Sequence, residues 1–157
     1  MTEKFEPDEW TPTGGTGEGE EVWRSGPGGF TLMEEVHWND PSGKTFYGLA
    51  LMWWNASKGF QGIWCESDNP NGCDLAGAGT GSCKWQNNQL VIDTEFERHG
   101  KKFAWHEVFS DITPTSFTQT ADIGEKGGSL KRWLTIHATR VAKTTSIISP
   151  KPEQQRR

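Results

Sequence analysis

The chain has 157 residues, with 16 Lys+Arg against 21 Asp+Glu and a formal net charge of −5. That length suits one ordinary domain with its own core. The acidic balance argues against a general nucleic-acid binder, because phosphate contacts need clustered Lys and Arg, and no run approaches the roughly 18 apolar residues of a helical membrane span.

Residues 1–10 are acidic and lack an apolar centre, so they do not read as a signal peptide. Residues 1–19 are polar, with Gly14, Gly15, Gly17 and Gly19, and read as a flexible arm leading to one edge strand at 20–24. Strands are predicted at 29–38, 45–54 and 60–66, the first two closed by the turn-rich stretches 39–43 and 55–59. A long loop, 67–82, interrupts and leaves room for a short strand near 74–78. Strands resume at 89–97, 101–111, 115–123 and 130–140, and residues 141–157 read as a flexible tail.

No amphipathic helix interrupts this series. Nine Trp, eight Phe and 19 Gly also favour an all-β domain. With only 32% of residues hydrophobic, the large rings must build the core or line a cavity. Strands joined by short turns make an antiparallel meander, and a sheet of about eight to ten strands tends to curl and close, which removes its edges. The expectation is an up-and-down β-barrel over residues 20–140, with room inside for side chains or one small ligand.

The segments Gly26-Pro-Gly-Gly-Phe-Thr-Leu-Met-Glu-Glu35, Gly43-Lys-Thr-Phe-Tyr-Gly48, Trp53-Trp-Asn and Gly59-Phe-Gln-Gly-Ile-Trp64 resemble, in kind and order, bacterial lipocalin-like barrels of the calycin group. That group is distantly similar to nitrobindin and the fatty-acid-binding proteins. The resemblance spans most of residues 26–140. It implies the barrel and no particular reaction. Nitrobindin holds haem through a histidine near the C-terminal end of its barrel; His137 stands in the last strand here, but no motif match carries the haem over, and no cofactor is expected.

Alternation sorts each strand into two faces. Glu34 shares a face with Phe30, Leu32, Val36 and Trp38; Glu107 shares one with Phe103, Trp105 and Phe109. Arg132 falls with Leu130, Leu134, Ile136 and Ala138. Leu90, Ile92, Thr94 and Phe96 form a fourth apolar face, and Phe60, Gly62, Trp64 and Glu66 a fifth. If these faces point inward, the interior is aromatic with a few charged groups. A buried carboxylate must be paired, protonated or used. Glu34 or Glu107 could then orient or protonate a ligand with Arg132 as anion anchor, or a Glu–Arg pair could simply plug the barrel.

The opposite faces hold Glu35, His37, His106, Trp133 and His137, which would converge only if the facing were inverted; no His-x-His or His-x-x-x-His pair exists, so no metal site is expected. The cysteines Cys65, Cys73 and Cys83 form an odd set without a Cys-x-x-Cys pair. They predict reduced thiols in a cytoplasm, with a Cys73–Cys83 bridge open to an exported protein. Cys65 beside Trp64 reads as a buried inert thiol rather than a nucleophile. Gly77-Ala-Gly-Thr-Gly81 lacks the Lys and helix of a phosphate loop.

Residues 45–54 are apolar on both faces, with Tyr47, Leu49, Leu51 and Trp53 on one side and Phe46, Ala50, Met52 and Trp54 on the other; a covered exterior, such as a homodimer interface, would account for this.

The leading expectation is a cytoplasmic barrel that binds an apolar or aromatic small molecule in a cavity lined by Trp38, Trp64, Trp105, Phe109 and Leu134, with Glu34, Glu107 and Arg132 as polar anchors. One alternative is an enzyme of the same fold, an isomerase or lyase with Glu107 as general acid or base. Another is a filled barrel that serves as an interaction module through the loop 67–82.

Overall fold

A computed structural model describes residues 1–7, 12–68, 73, 82–98 and 100–141. Ten antiparallel strands follow in chain order: β1 Thr2–Phe5, β2 Gly15–Ser25, β3 Thr31–Asn39, β4 Thr45–Asn55, β5 Gly59–Glu66, β6 Ser82–Gln86, β7 Gln89–Arg98, β8 Lys101–Ser110, β9 Ser116–Glu125 and β10 Lys131–Thr139. They form one sheet in the order β5-β4-β3-β2-β1-β10-β9-β8-β7-β6. The two end strands approach each other where a Cβ built on Gly59 would stand 3.9 Å from the Cys83 carbonyl oxygen, without a ladder between them. The sheet is thus an up-and-down barrel, all-β and nearly closed.

The turns follow from their side chains. Asp40 Oδ1 accepts hydrogen bonds from the Ser42 hydroxyl and from the backbone N–H groups of Ser42 and Lys44; against slight desolvation, these bonds, the hydroxyl's first, hold its carboxyl below the usual range. Asn55 Oδ1 does the same for Ser57 and Lys58. The β6–β7 hairpin turns on Asn87 and Asn88, with φ of 51° and 60°. Asn tolerates that left-handed region, which a tight hairpin turn requires at both central positions.

Several expectations need correction. Residues 2–5 and 15–19 are not an arm: β1 lies between β10 and β2, with Glu3 opposite Ile136 and Gly17. β2 is therefore an interior strand rather than an edge. β6 starts at the last residue of the expected 67–82 loop and runs through residues that the alternation assigns to no strand. The strand expected near 74–78, the rest of that loop apart from Ser67, Asp68, Cys73 and Ser82, and the tail after Val141 lie outside the described residues. Cys65 and Cys73 form a disulfide and Cys83 is free, so the three thiols are not all reduced.

The core is off-centre. Phe5, Ala121, Leu134 and Ile136, on β1, β9 and β10, are fully buried, and Met1, Trp38, Trp105, Trp133 and Ala138 pack on them. Across the barrel, inward residues of β4, β5 and β7 such as Met52, Gly62, Trp64, Ile92 and Thr94 remain partly exposed. Solvent therefore reaches that half of the interior.

Candidate functional site: an acidic belt between aromatic layers

Register and burial identify the inward faces. Gly17, Gly19, Glu21 and Trp23 point inward from β2; Leu32, Glu34, Val36 and Trp38 from β3; and Phe103, Trp105, Glu107 and Phe109 from β8. Trp23 and Phe109 are decisive. Their strands are not neighbours in the sheet, yet the rings meet edge-on at 6.2 Å across the lumen. The apolar faces read from alternation in β3, β5, β7 and β8 do line the interior. Phe30 and Leu130 fall outside the strands and are exposed.

At mid-height stand four carboxyl groups: Glu3, Glu21, Glu34 and Glu107. Protonated Glu34 donates a hydrogen bond to Glu21, and Glu107 acts on both through the field of its charge. The Trp23 indole N–H donates to Glu21 Oε1. Glu107 Oε2 accepts from Trp105 Nε1 at 3.4 Å, and its Oε1 accepts from Gln119 Nε2. Glu3 is 0% exposed, and neither of its carboxyl oxygens has a hydrogen-bond partner among the described residues. Gln119 is 8% exposed with its Oε1 unpartnered.

Aromatic layers lie on either side of this belt. Towards one end Trp38 stacks on Phe46 at 4.0 Å, Phe46 stacks on Trp64 at 6.5 Å, and a chain of edge contacts joins Phe5, Trp133, Trp105 and Phe96. Towards the other end Trp23, Phe109 and Phe117 are in contact. Trp64 lies over Gly48, where a Cβ would stand 2.3 Å from the indole; only glycine admits the ring there.

Burial raises all four carboxyl groups above their ordinary value. Glu3 is pushed up to about 8, mainly by burial, against the lowering effect of the Met1 α-ammonium. Glu34 rises because it is buried and faces Glu21 and Glu107, and Glu21 rises less because protonated Glu34 donates to it. Glu107 rises through burial, offset by the donors Gln119 and Trp105. Burial also raises the inward-facing Cys83 thiol to about 11, which keeps it protonated at neutral pH.

Arg132 does not join this group. A bulge between Arg132 and Leu134 inserts one residue and reverses the alternation, so Trp133 turns inward. Arg132 faces outward and pairs with Asp122, Nε to Oδ1 at 2.6 Å. Neither the anion anchor nor the Glu–Arg plug exists. No Lys, Arg or His is among the groups that act on Glu3, Glu21, Glu34 or Glu107.

The three described histidines are dispersed over the outer surface. His37 lies beside Tyr47, His106 Nδ1 is 2.7 Å from Asp93 Oδ1, and His137 Nδ1 is 3.4 Å from Thr118 Oγ1. No group of three or more His, Cys, Asp or Glu among the described residues is spaced to hold a metal ion.

The structure therefore brings together Glu34 and Glu107 in the belt, with Trp105 and Phe109 against it. Trp38, Trp64 and Leu134 belong to the layer and core at one end. Sequence reasoning missed Glu3, Glu21, Trp23 and Gln119. A signal for Glu21 was present: Glu21-x-Trp23, Trp64-x-Glu66 and Trp105-x-Glu107 share one spacing, and in each an indole N–H reaches the carboxylate two residues away on the same face. The chain matches no protein-family model and no curated protein.

Proposed function

We propose that this protein is a small-molecule-binding barrel of the lipocalin-like kind, taking a ligand with an aromatic or apolar body against Trp105, Phe109 and the belt carboxyls Glu34 and Glu107. The observation that carries this reading is the set of buried carboxyl groups walled by rings, on a lumen that solvent reaches from the β4–β7 side. Convergent polar groups in an aromatic concavity are what a small-ligand site requires. Indole fluorescence tests it. Titration with an aromatic ligand should change the emission, and Trp105→Ala should weaken binding about tenfold, some 1.4 kcal/mol. Unchanged affinity in that variant would remove Trp105 from the site.

A second reading is acid–base chemistry in the same lumen, of the isomerase or lyase type. It is favoured by the Glu34–Glu21 hydrogen bond, which holds a proton on one carboxyl beside another. Glu107 and Glu34 would then exchange protons with the ligand. The relationship to calycin-group barrels and a homodimer built on the outer face of β4 belong to the same proposal. The expectation of a cytoplasmic protein drew on the odd cysteine count and the lack of a signal-peptide pattern, and the Cys65–Cys73 bond removes the first of these supports. An interaction role for the loop 67–82 rests almost wholly on residues outside those described.

A further inference from the structure

Four carboxyl groups share the lumen, and one positive group among the described residues reaches them. It is the Met1 α-ammonium, hydrogen-bonded to the Gly19 carbonyl at 2.7 Å and acting on Glu3 and Glu21. The belt is short of positive charge. Glu3 sharpens the point, because its wholly buried carboxyl has two oxygens without a hydrogen-bond partner, and the Met1 α-ammonium offsets only part of the desolvation. Gln119 Oε1, also buried, is a further acceptor without a donor. The chemistry absent from the site is a set of N–H donors bearing positive charge.

The walls point the same way. Trp23 and Phe109 flank Glu21 and Glu107, and Trp105 reaches Glu107 through its indole N–H. Ring faces attract cations, best when both partners are shielded from water. Acceptors at the centre with rings above and below suit an organic cation rather than an anion or a neutral lipid chain. A fatty carboxylate would meet the charge of Glu107 and find no Lys or Arg acting on these carboxyl groups.

We propose that the lumen binds an organic ammonium ion, its N–H groups donating to Glu21, Glu34 and Glu107 and its apolar body lying against Trp23, Trp105 and Phe109. This rests on the reading of the lumen as a small-molecule site and names the ligand class. The cation takes the place of protons now held in the belt, so binding at neutral pH releases protons to the buffer.

Three probes of nearly equal shape test it by calorimetry at neutral pH: phenethylamine, phenethyl alcohol and phenylacetate. The amine should bind at least about tenfold more tightly than the alcohol, and phenylacetate most weakly. Its heat should differ between buffers of different ionisation enthalpy, reporting the released protons. Glu34→Gln and, separately, Glu107→Gln should each reduce the preference for the amine, with circular dichroism confirming the barrel; two sites guard against one variant failing to fold. Equal or tighter binding of the alcohol or of phenylacetate would overturn the ammonium assignment and leave the small-molecule reading standing. If none of the three bound at millimolar concentration, both would fall.

Discussion

A carboxylic acid in a barrel interior has two ways to avoid the cost of a buried charge: take a cationic partner or keep its proton. Glu34 keeps its proton and donates it to Glu21. The consequence for stability has a definite sign. In the unfolded chain these groups ionise near their ordinary value of 4.5, whereas Glu3 holds its proton to about 8 and Glu34 and Glu21 are also raised. Between those limits the native state binds more protons than the unfolded state, so stability falls as pH rises. The melting temperature should therefore decline from about pH 5 to about pH 9, at about 2–4 °C for each kcal/mol lost in a domain of this size. Glu34→Gln, which keeps the shape and cannot ionise, should flatten the decline. A melting temperature equal at both ends of that range would contradict the protonated belt.

At the scale of the strand, one inserted residue decides which side chains of β10 face the lumen. Without the bulge at Trp133, the alternation of β10 would place Arg132 on the inner face with Leu134 and Ile136. With it, Trp133 fills that space against Phe5 and Trp105, and Arg132 pairs with Asp122 outside. Arg132→Ala should therefore leave ligand affinity unchanged within about twofold and cost under about 1 kcal/mol of stability in urea, the usual range for a surface ion pair. A large loss of affinity would mean that Arg132 reaches the lumen. The bulge was not legible in the sequence, because nothing in Lys131-Arg132-Trp133-Leu134 marks it; it arises from register with β9. β6 was more legible, since Asn87-Asn88 is a pair suited to a two-residue hairpin turn.

At the scale of the molecule, the outer face of β4 stands out. Tyr47 is 60% exposed and Leu49 is 38% exposed, while Leu51 and Trp53 on the same side are half-buried. A strand that is apolar inside and out fits a second copy covering this face. Light scattering coupled to size-exclusion chromatography should then give twice the chain mass at micromolar concentration, and Tyr47→Lys should shift the species toward monomer. A monomer in the unmodified protein would leave this face uncovered.

The sequence by itself determined the class of fold and much of its inner lining. Period-two alternation and turn residues are local properties, and they gave seven strands nearly in place and put Glu34, Trp38, Trp64, Trp105, Glu107 and Phe109 on the inner face. What required the tertiary structure was non-local. β1 forms only because β2 and β10 offer it two free edges, so its few residues carry no signal of their own. Glu107 reaches Glu21 and Glu34, which meet across the β2–β3 ladder, only when the sheet curls. The charge balance of the interior depends on that closure: acids distant in the chain share one lumen, and the arginine expected to neutralise them faces water.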